Sequence, residues 1–172
     1  ESFVRPAQKV ILKPNWIGPF SSDDPAITNP NLLLALSRRL VNLGADVSIA
    51  DSPAWGDAAK VARCCGMEKE TERLGVNIVT LNQPRKIRLD SGAGVRSLVL
   101  DRRMLEADVV INVPKAKVHC QMVMTGAVKN LFGSVCGRRK ALWHFRLGKR
   151  PDVFCSMLLE IMKLIRPAVT IV

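Results

Sequence analysis

The chain contains no tyrosine, and aromatic residues make up only 5% of its 172 positions. It also shows no helix-turn-helix or RNP-type pattern, so a nucleic-acid partner is disfavoured despite the net charge of +11. The longest apolar runs, such as Val109–Val113, are too short to cross a bilayer, and no signal-peptide pattern opens the chain. We therefore expect no membrane partner.

Motifs for metals and cofactors are equally scarce. The five cysteines include an adjacent pair, Cys64 and Cys65, and none has CxxC spacing. This argues against a disulfide framework and against a self-contained iron–sulfur or zinc motif. The glycine patterns GxGxxG and GxxxxGK[ST] are absent too, so no nucleotide fingerprint is supported. The cysteine usage predicts a reducing, cytoplasmic location and leaves the cofactor unidentified.

Positive charge is concentrated in one part of the chain. Residues 107–150 carry nine Lys or Arg against one acid, Asp108. Such a local field attracts phosphates, carboxylates or an acidic partner. The alternative is a solvated basic face, which we favour for five of these cations: Arg138, Arg139, Lys140, Lys149 and Arg150.

Apolar runs and turn residues predict alternating strands and helices. Strands are expected over 9–15 and Asp46–Asp51, and the helix between them begins after the N-cap residue Asn29 and ends at Gly44. Further strands are expected over 76–81, 108–113 and 168–172, and helices over 58–74 (broken at Gly66), 123–132 and 152–165, the last with Asp152 as N-cap. Segments 86–89 and 97–100 read as a hairpin.

This order of elements predicts the α/β class: a three-layer, mostly parallel Rossmann-like sheet with a small β-hairpin insertion. The length fits a single α/β domain over residues 1–172. Because the last apolar run stops within a predicted strand, we expect a C-terminally truncated fragment of a longer protein.

The densest polar chemistry follows the predicted strand 108–113. Lys115 and Lys117 are two positions apart, so on extended backbone they share a face. They form either a clamp for a phosphate or carboxylate, which we favour because ligands of parallel sheets bind at strand ends, or a pair of surface lysines. Like charge lowers the pKa of the neighbouring His119, so we assign His119 and Lys117 as the candidate catalytic residues.

Other polar residues are candidate ligand contacts. Thr125 and Gly126 are expected to open a helix whose first amides point at an anion. The remaining candidates lie in that helix or at the ends of other strands: Lys13, Asn15, Asp51, Lys129 and Asn130. Asp51 is the best-placed carboxylate, and its alternatives are a pair with Lys115, a diol contact, a cation site or an ordinary turn.

A metal ion is the second interpretation of the histidines. His119 and His144 are the only imidazoles in the chain. A metal bound by both would need carboxylate or thiolate ligands as well, for which Asp23, Asp24, Asp51 and Cys120 are available without diagnostic spacing. The structural alternative is a hydrogen-bonded histidine without chemistry.

Two long motifs, residues 114–119 (PKAKVH) and 125–133 (TGAVKNLFG), resemble the family called domain of unknown function 362. The resemblance continues over nearly the whole chain, from residues 11–15 (ILKPN) to the C-terminal RPAVTIV. It implies a prokaryotic protein of unassigned activity, from a group often found beside ferredoxin-type iron–sulfur domains. A ferredoxin-type domain or protein is therefore one expected partner, and any cluster would lie outside this segment.

Two classes of function remain. The first is an enzyme or substrate domain that binds an anionic small molecule through lysines and moves a proton with His119. One version of it is redox-linked through an external iron–sulfur partner. The alternative is a basic module that binds nucleic acid or an acidic protein without catalysis.

Overall fold

A computed structural model describes residues 3–90, 94–119, 122–137 and 139–172. Its strands are β1 (Lys9–Pro14), β2 (Asp46–Asp51), β3 (Asn77–Thr80), β4 (Pro84–Arg88), β5 (Ser97–Asp101), β6 (Val109–Val113), β7 (Lys117–His119), β8 (Val123–Thr125) and β9 (Val169–Thr170). Its helices are α1 (Pro30–Asn42), α2 (Ala58–Cys64), α3 (Glu68–Leu74), α4 (Arg102–Glu106), α5 (Ala127–Asn130), α6 (Arg139–Leu147) and α7 (Pro151–Ile165), with a 3₁₀ turn at Leu131–Ser134.

Five parallel strands form the central sheet in the order β3-β2-β1-β6-β9. The chain builds outward from β1 to β3 and then returns to the other side of β1 with β6. Helices cover both faces, so the predicted three-layer Rossmann-like α/β class is confirmed. The reversal between β1 and β6 is the switch point at which such sheets open a crevice beyond the strands' carboxyl ends.

Alternation along β1 feeds two separate cores. Val10 and Leu12 pack with α1 and α2 on one face, whereas Ile11 packs with α7 on the other. The helix α1 begins where predicted, because the side chain of Asn29 accepts the backbone N–H of Asn31 at 2.8 Å.

On the second face α7 supplies more buried residues than any other element. Phe154, Met157 and Ile161 recur at helical spacing and are almost fully buried against Ile11 and Val110. The helix begins at Pro151 with Arg150 as N-cap, so Asp152 lies within the first turn and is not the predicted cap. A proline at the first helical position has no N–H to satisfy, which moves the start by one residue.

The predicted hairpin is present as the antiparallel pair β4–β5. The predicted helix over 123–132 is present only from Ala127, as α5 and the 3₁₀ turn, and its predicted start is wrong because Val123–Thr125 pairs with β7. The backbone of Gly126 is extended (φ −153°), which separates the strand from the helix. We did not predict α6.

None of the helices formed by the described residues combines the length and the apolarity needed to cross a membrane.

Candidate functional site

A cavity of about 620 Å³ lies beyond the carboxyl ends of β1, β2 and β3. Its floor comes from the strand ends, and its remaining walls come from the pair β7–β8, from the 3₁₀ turn and from α6. This is the position at which doubly wound sheets bind their ligands, because the connections after β1 and β6 lead to helices on opposite faces of the sheet and leave a crevice between them.

A buried ion pair forms part of the floor. Nζ of Lys13 lies 2.7 Å from Oδ1 of Asp51, and the two side chains are only 1% and 4% exposed. The carboxylate also accepts the backbone N–H groups of Trp16 at 2.8 Å and Ser52 at 2.7 Å. Burial lowers the pKa of Lys13, and Asp51 opposes that shift by stabilising the ammonium. The carboxylate is thus already neutralised and fully engaged.

Asp51 therefore pairs with Lys13 rather than with Lys115, the partner that sequence reasoning had considered. Lys115 lies half-buried in the connection between β6 and β7 and does not line the cavity. Its charge still acts on the site, because it helps to lower the pKa of Lys117. Of the two lysines that were predicted to clamp an anion, Lys117 lines the cavity and Lys115 does not.

Gly133 allows the 3₁₀ turn to lie directly against the ion pair. A Cβ atom at this position would lie 2.6 Å from Oδ1 of Asp51 and 2.7 Å from Nζ of Lys13. Both distances are too short for a carbon atom, so any larger residue would displace the pair. Sequence analysis did not identify this role, since only the packed structure shows which atoms Gly133 faces.

A chain of asparagine side chains connects the strand ends. Nζ of Lys117 donates to Oδ1 of Asn15 at 2.6 Å, and Nδ2 of Asn15 donates to Oδ1 of Asn130 at 2.9 Å. Nδ2 of Asn130 then donates to Oδ1 of Asn112 at 2.8 Å. Asn112 was not among the predicted residues, although a buried polar residue within the β6 run is a visible signal. Each amide orients the next, and Asn15, at the opposite end of this asparagine chain from Asn112, holds the Lys117 ammonium.

Lys117 enters the cavity from β7. Its ammonium also donates to the backbone carbonyl of Ala26. This bond anchors the antiparallel pair β7–β8, which we call the ribbon, to the loop after β1. Burial and, to a smaller extent, the nearby charge of Lys129 lower the pKa of Lys117 to about 8, and the carboxylates of Asp24 and Asp51 offset only part of that shift. A lysine of this kind exchanges its proton near neutral pH.

The two histidines stack against each other at the edge of the cavity. The rings of His119 and His144 lie 5.7 Å apart between centroids, with an angle of 18° between their planes. Nδ1 of His119 accepts the backbone N–H of Met122 at 3.2 Å, which places the ring proton of the neutral form on Nε2.

Both imidazoles are biased toward the neutral form. Burial lowers the pKa of His119, and the charges of Lys129 and Lys117 add to that shift. Burial lowers the pKa of His144 to about 4, with Lys129 and His119 as the further causes. The predicted depression of the His119 pKa by like charge is present, although burial is the larger cause.

Lys140 is the cation that sequence reasoning misplaced. We predicted a solvated face, but α6 brings Lys140 into the cavity wall, where its ammonium donates to the carbonyl of Ser52. Burial lowers its pKa to about 8, and Asp51 and Lys13 contribute opposing smaller effects. The error follows from missing α6, because its helical spacing turns Lys140 inward while Arg139 stays exposed.

The remaining predicted contacts divide into two groups. Thr125 and Lys129 line the cavity, and the Lys129 ammonium lies 5.6 Å from the centroid of the Phe132 ring. Gly126 is the N-cap of α5 and does not line it. Since α5 has only four residues, the predicted anion site at a helix N-terminus is not supported.

Comparison with known proteins identifies the family. The profile of the family described as Domain of unknown function (DUF362) matches residues 10–172. The chain belongs to this family. The expected resemblance is thereby confirmed.

The DUF362 chain is also similar to a thylakoid-associated protein of Synechocystis sp.. The two are 38% identical over 170 residues, which cover 99% of this chain and 52% of that protein. The chain thus spans about half the length of the curated relative it matches.

A metal or iron–sulfur centre does not fit the described part of this DUF362 chain. No three His, Cys, Asp or Glu side chains among the described residues lie close enough together to hold a metal ion. His119 and His144 provide two imidazoles, and Asp51 is occupied by Lys13. Cys120, which we considered as a thiolate ligand, lies outside the described residues.

The buried ion pair makes a sharp stability prediction. Lys13→Met leaves the Asp51 carboxylate buried without its counter-ion, so the free energy of unfolding should fall by about 3–5 kcal/mol. Arg38→Met is the matched control, because its guanidinium also lies 2.7 Å from a carboxylate, that of Glu70, but is 55% exposed. We expect a loss below about 1 kcal/mol there. Urea unfolding measures both.

The double variant Lys13→Met/Asp51→Asn separates pairing from packing. Neutralising both partners should cost clearly less than the sum of the two single variants, because no unpaired charge remains buried. Equal losses for Lys13→Met and Arg38→Met, or strict additivity in the double variant, would contradict the assigned role.

His144 should make the fold sensitive to acid. Its pKa is about 4 in the folded chain against an ordinary value of 6.5, so between these values the unfolded chain holds a proton that the folded chain lacks. Stability must then fall as pH drops from 6.5 to 4. His144→Phe, which keeps an aromatic ring beside Phe132, should flatten this acid limb. After allowance for partial exposure we expect on the order of 1–2 kcal/mol at pH about 4.5. Superimposable acid limbs in urea unfolding would contradict this.

Proposed function

We propose that the chain binds a small molecule carrying a phosphate or carboxylate group in the cavity, and that Lys117 and His119 exchange protons with it. One observation carries the proposal. Four lysines line the cavity, Lys13, Lys117, Lys129 and Lys140, whereas the one carboxylate among its described lining residues is Asp51. Because Asp51 is bound to Lys13, its single charge offsets only a small part of the charge on the other three.

The electrostatics support an anionic ligand. Burial lowers the pKa values of Lys117 and Lys140 to about 8, which means that both ammonium groups are poorly solvated as they stand. An anion between them replaces the missing hydration with charge-assisted hydrogen bonds, which are about twice as strong as neutral ones. Binding thereby returns the free energy that was lost when these charges were buried.

The size of the cavity supports a ligand larger than an inorganic ion. A volume of about 620 Å³ falls in the range of sites for drug-sized molecules. Apolar groups from Ile17, Leu81 and Phe132 also line it, and they offer contacts for the uncharged body of the ligand. The substrate class we propose is therefore an organic phosphate or organic acid.

Proton transfer is the chemistry for which the site is best suited. A neutral His119 can accept a proton at Nδ1, in exchange for the hydrogen bond from the Met122 N–H, and a lysine with a pKa of about 8 can donate one at neutral pH. We assign His119 as the general base and Lys117 as the general acid. A redox-linked version, with an external iron–sulfur partner, rests on the family resemblance and stays a prediction.

The alternative, a basic module without catalysis, is less well supported. Cations that serve a duplex or an acidic protein lie on an outward surface, whereas Lys117 and Lys140 are half-buried in a concave site.

The described thiols, Cys64, Cys65, Cys136 and Cys155, are all unpaired. That state is consistent with the reducing cytoplasmic compartment that we propose for this chain.

Binding of sulfate, measured by calorimetry, tests the proposal. Sulfate keeps its charge over the whole pH range of interest, so changes in affinity report the protein alone. Lys117→Gln and Lys140→Gln should each weaken binding by about tenfold, because each removes a charge-assisted hydrogen bond. Lys69→Gln removes an exposed lysine of α3 that does not line the cavity, and it should leave the affinity unchanged.

The pH profile provides the second part of this test. As pH rises through about 8, Lys117 and Lys140 lose their protons and the cavity loses two positive charges. Sulfate affinity should therefore begin to fall near pH 8, well below the range in which ordinary lysines titrate. Affinity that stays constant up to pH about 9.5, or that responds equally to all three substitutions, would overturn the proposal.

A further inference from the structure

Large apolar side chains are exposed on two elements that wall the cavity. In the ribbon β7–β8, Val118 is 88% exposed and Val123 is 84% exposed. On α6, Phe145 is 88% exposed. Met124 and Leu142 complete this set, which we call the apolar rim.

The periodicity of each element explains the exposure of Val118, Met124 and Phe145. Lys117 and His119 turn toward the cavity, so Val118 between them turns away, opposite Met124 in the ribbon register. On α6 the residues that line the cavity are Lys140, Ala141 and His144, and Phe145 lies outside it. The contact between the His119 and His144 rings holds the two elements side by side. The apolar rim therefore flanks a single cavity.

The rim lies in the most basic part of the chain. Between Asp108 and Asp152 there is no acidic residue, and nine Lys or Arg occur. Arg139, Arg146 and Lys149 are exposed in or just after α6. Residues three or four positions apart on a helix are neighbours, so Arg139 and Arg146 flank Leu142 on α6, and Lys149 lies just after the helix.

We propose that the apolar rim and its surrounding cations form a docking surface for an anionic membrane. The apolar side chains enter the boundary between headgroups and acyl chains, while the arginines and lysine contact lipid phosphates. This inference goes beyond the proposed function and does not depend on the ligand in the cavity. Our expectation of no membrane partner rested on the lack of a spanning run, which says nothing about a surface contact.

The chemistry favours a membrane over nucleic acid and over a second copy of the chain. Nucleic acid would use the cations but leaves aliphatic Val118, Val123 and Met124 without a contact. A second copy of the chain would bring two equally basic surfaces together, which like-charge repulsion opposes. An anionic bilayer satisfies both the apolar and the basic groups at once.

Vesicle sedimentation with the full chain tests this surface. We expect binding to vesicles of phosphatidylcholine containing about one third phosphatidylglycerol, and little binding to phosphatidylcholine alone. Phe145→Ser and Val118→Ser should each lower the partition coefficient by about tenfold. Both side chains are 88% exposed, so the fold should be retained, which circular dichroism checks. Phe3→Ser is the matched control, since Phe3 is 56% exposed but lies outside the rim.

Charge is tested in the same assay. Arg146→Gln should weaken binding to anionic vesicles, whereas Arg88→Gln, an exposed residue of β4, should not. Binding should also fall when salt is raised from about 0.05 M to about 0.5 M.

Several results would overturn the proposal. The first is no binding to either kind of vesicle, and the second is equal vesicle binding by the Phe145→Ser and Phe3→Ser variants. Binding to duplex DNA that is strong enough to remove the chain from vesicles would favour a nucleic-acid partner instead. A dimer in sedimentation equilibrium that Phe145→Ser dissociates would show that the rim is an interface between two copies.

Discussion

The site depends on one buried ion pair, Lys13 with Asp51. The two side chains come from neighbouring parallel strands, whose register places both at the sheet's carboxyl edge. The carboxylate holds the chain after both strands, because it accepts the backbone N–H groups of Trp16 and Ser52. The 3₁₀ turn fits against the pair only because Gly133 has no side chain. The chain after both strands and the 3₁₀ turn are thus positioned by contact with this pair.

The same pair determines the electrostatics of the cavity. Since Asp51 balances Lys13, it leaves Lys117 and Lys140 with positive charge and little hydration. The asparagine chain that starts at Asn112 fixes the Lys117 ammonium without adding a negative charge. Neutral amides can therefore orient a cation that a carboxylate would have neutralised. A preorganised positive site of this kind costs folding free energy, and a bound anion reduces that cost.

Sequence reasoning found the fold more completely than the site. The strand β2 was predicted with its observed bounds, because the run of apolar residues that marks a buried parallel strand can be read from neighbouring positions in the sequence. The strand ends also indicated Lys13, Asn15 and Asp51, since carboxyl edges converge in any parallel sheet. Lys140 could not be found in this way. Whether a lysine turns inward depends on where α6 packs, and that is set by contacts distant in sequence.

The central claim is that cations and an imidazole surround one bound anion. The most direct test follows the two histidines, the only ones in the chain, by NMR while sulfate is added. The spectrum of the His144→Phe variant, in which His119 is the remaining histidine, assigns the two histidine signals. An anion close to His119 stabilises its protonated form, so saturation with sulfate should raise the His119 pKa. A His119 titration curve that does not move at saturation would place the anion elsewhere and contradict the account.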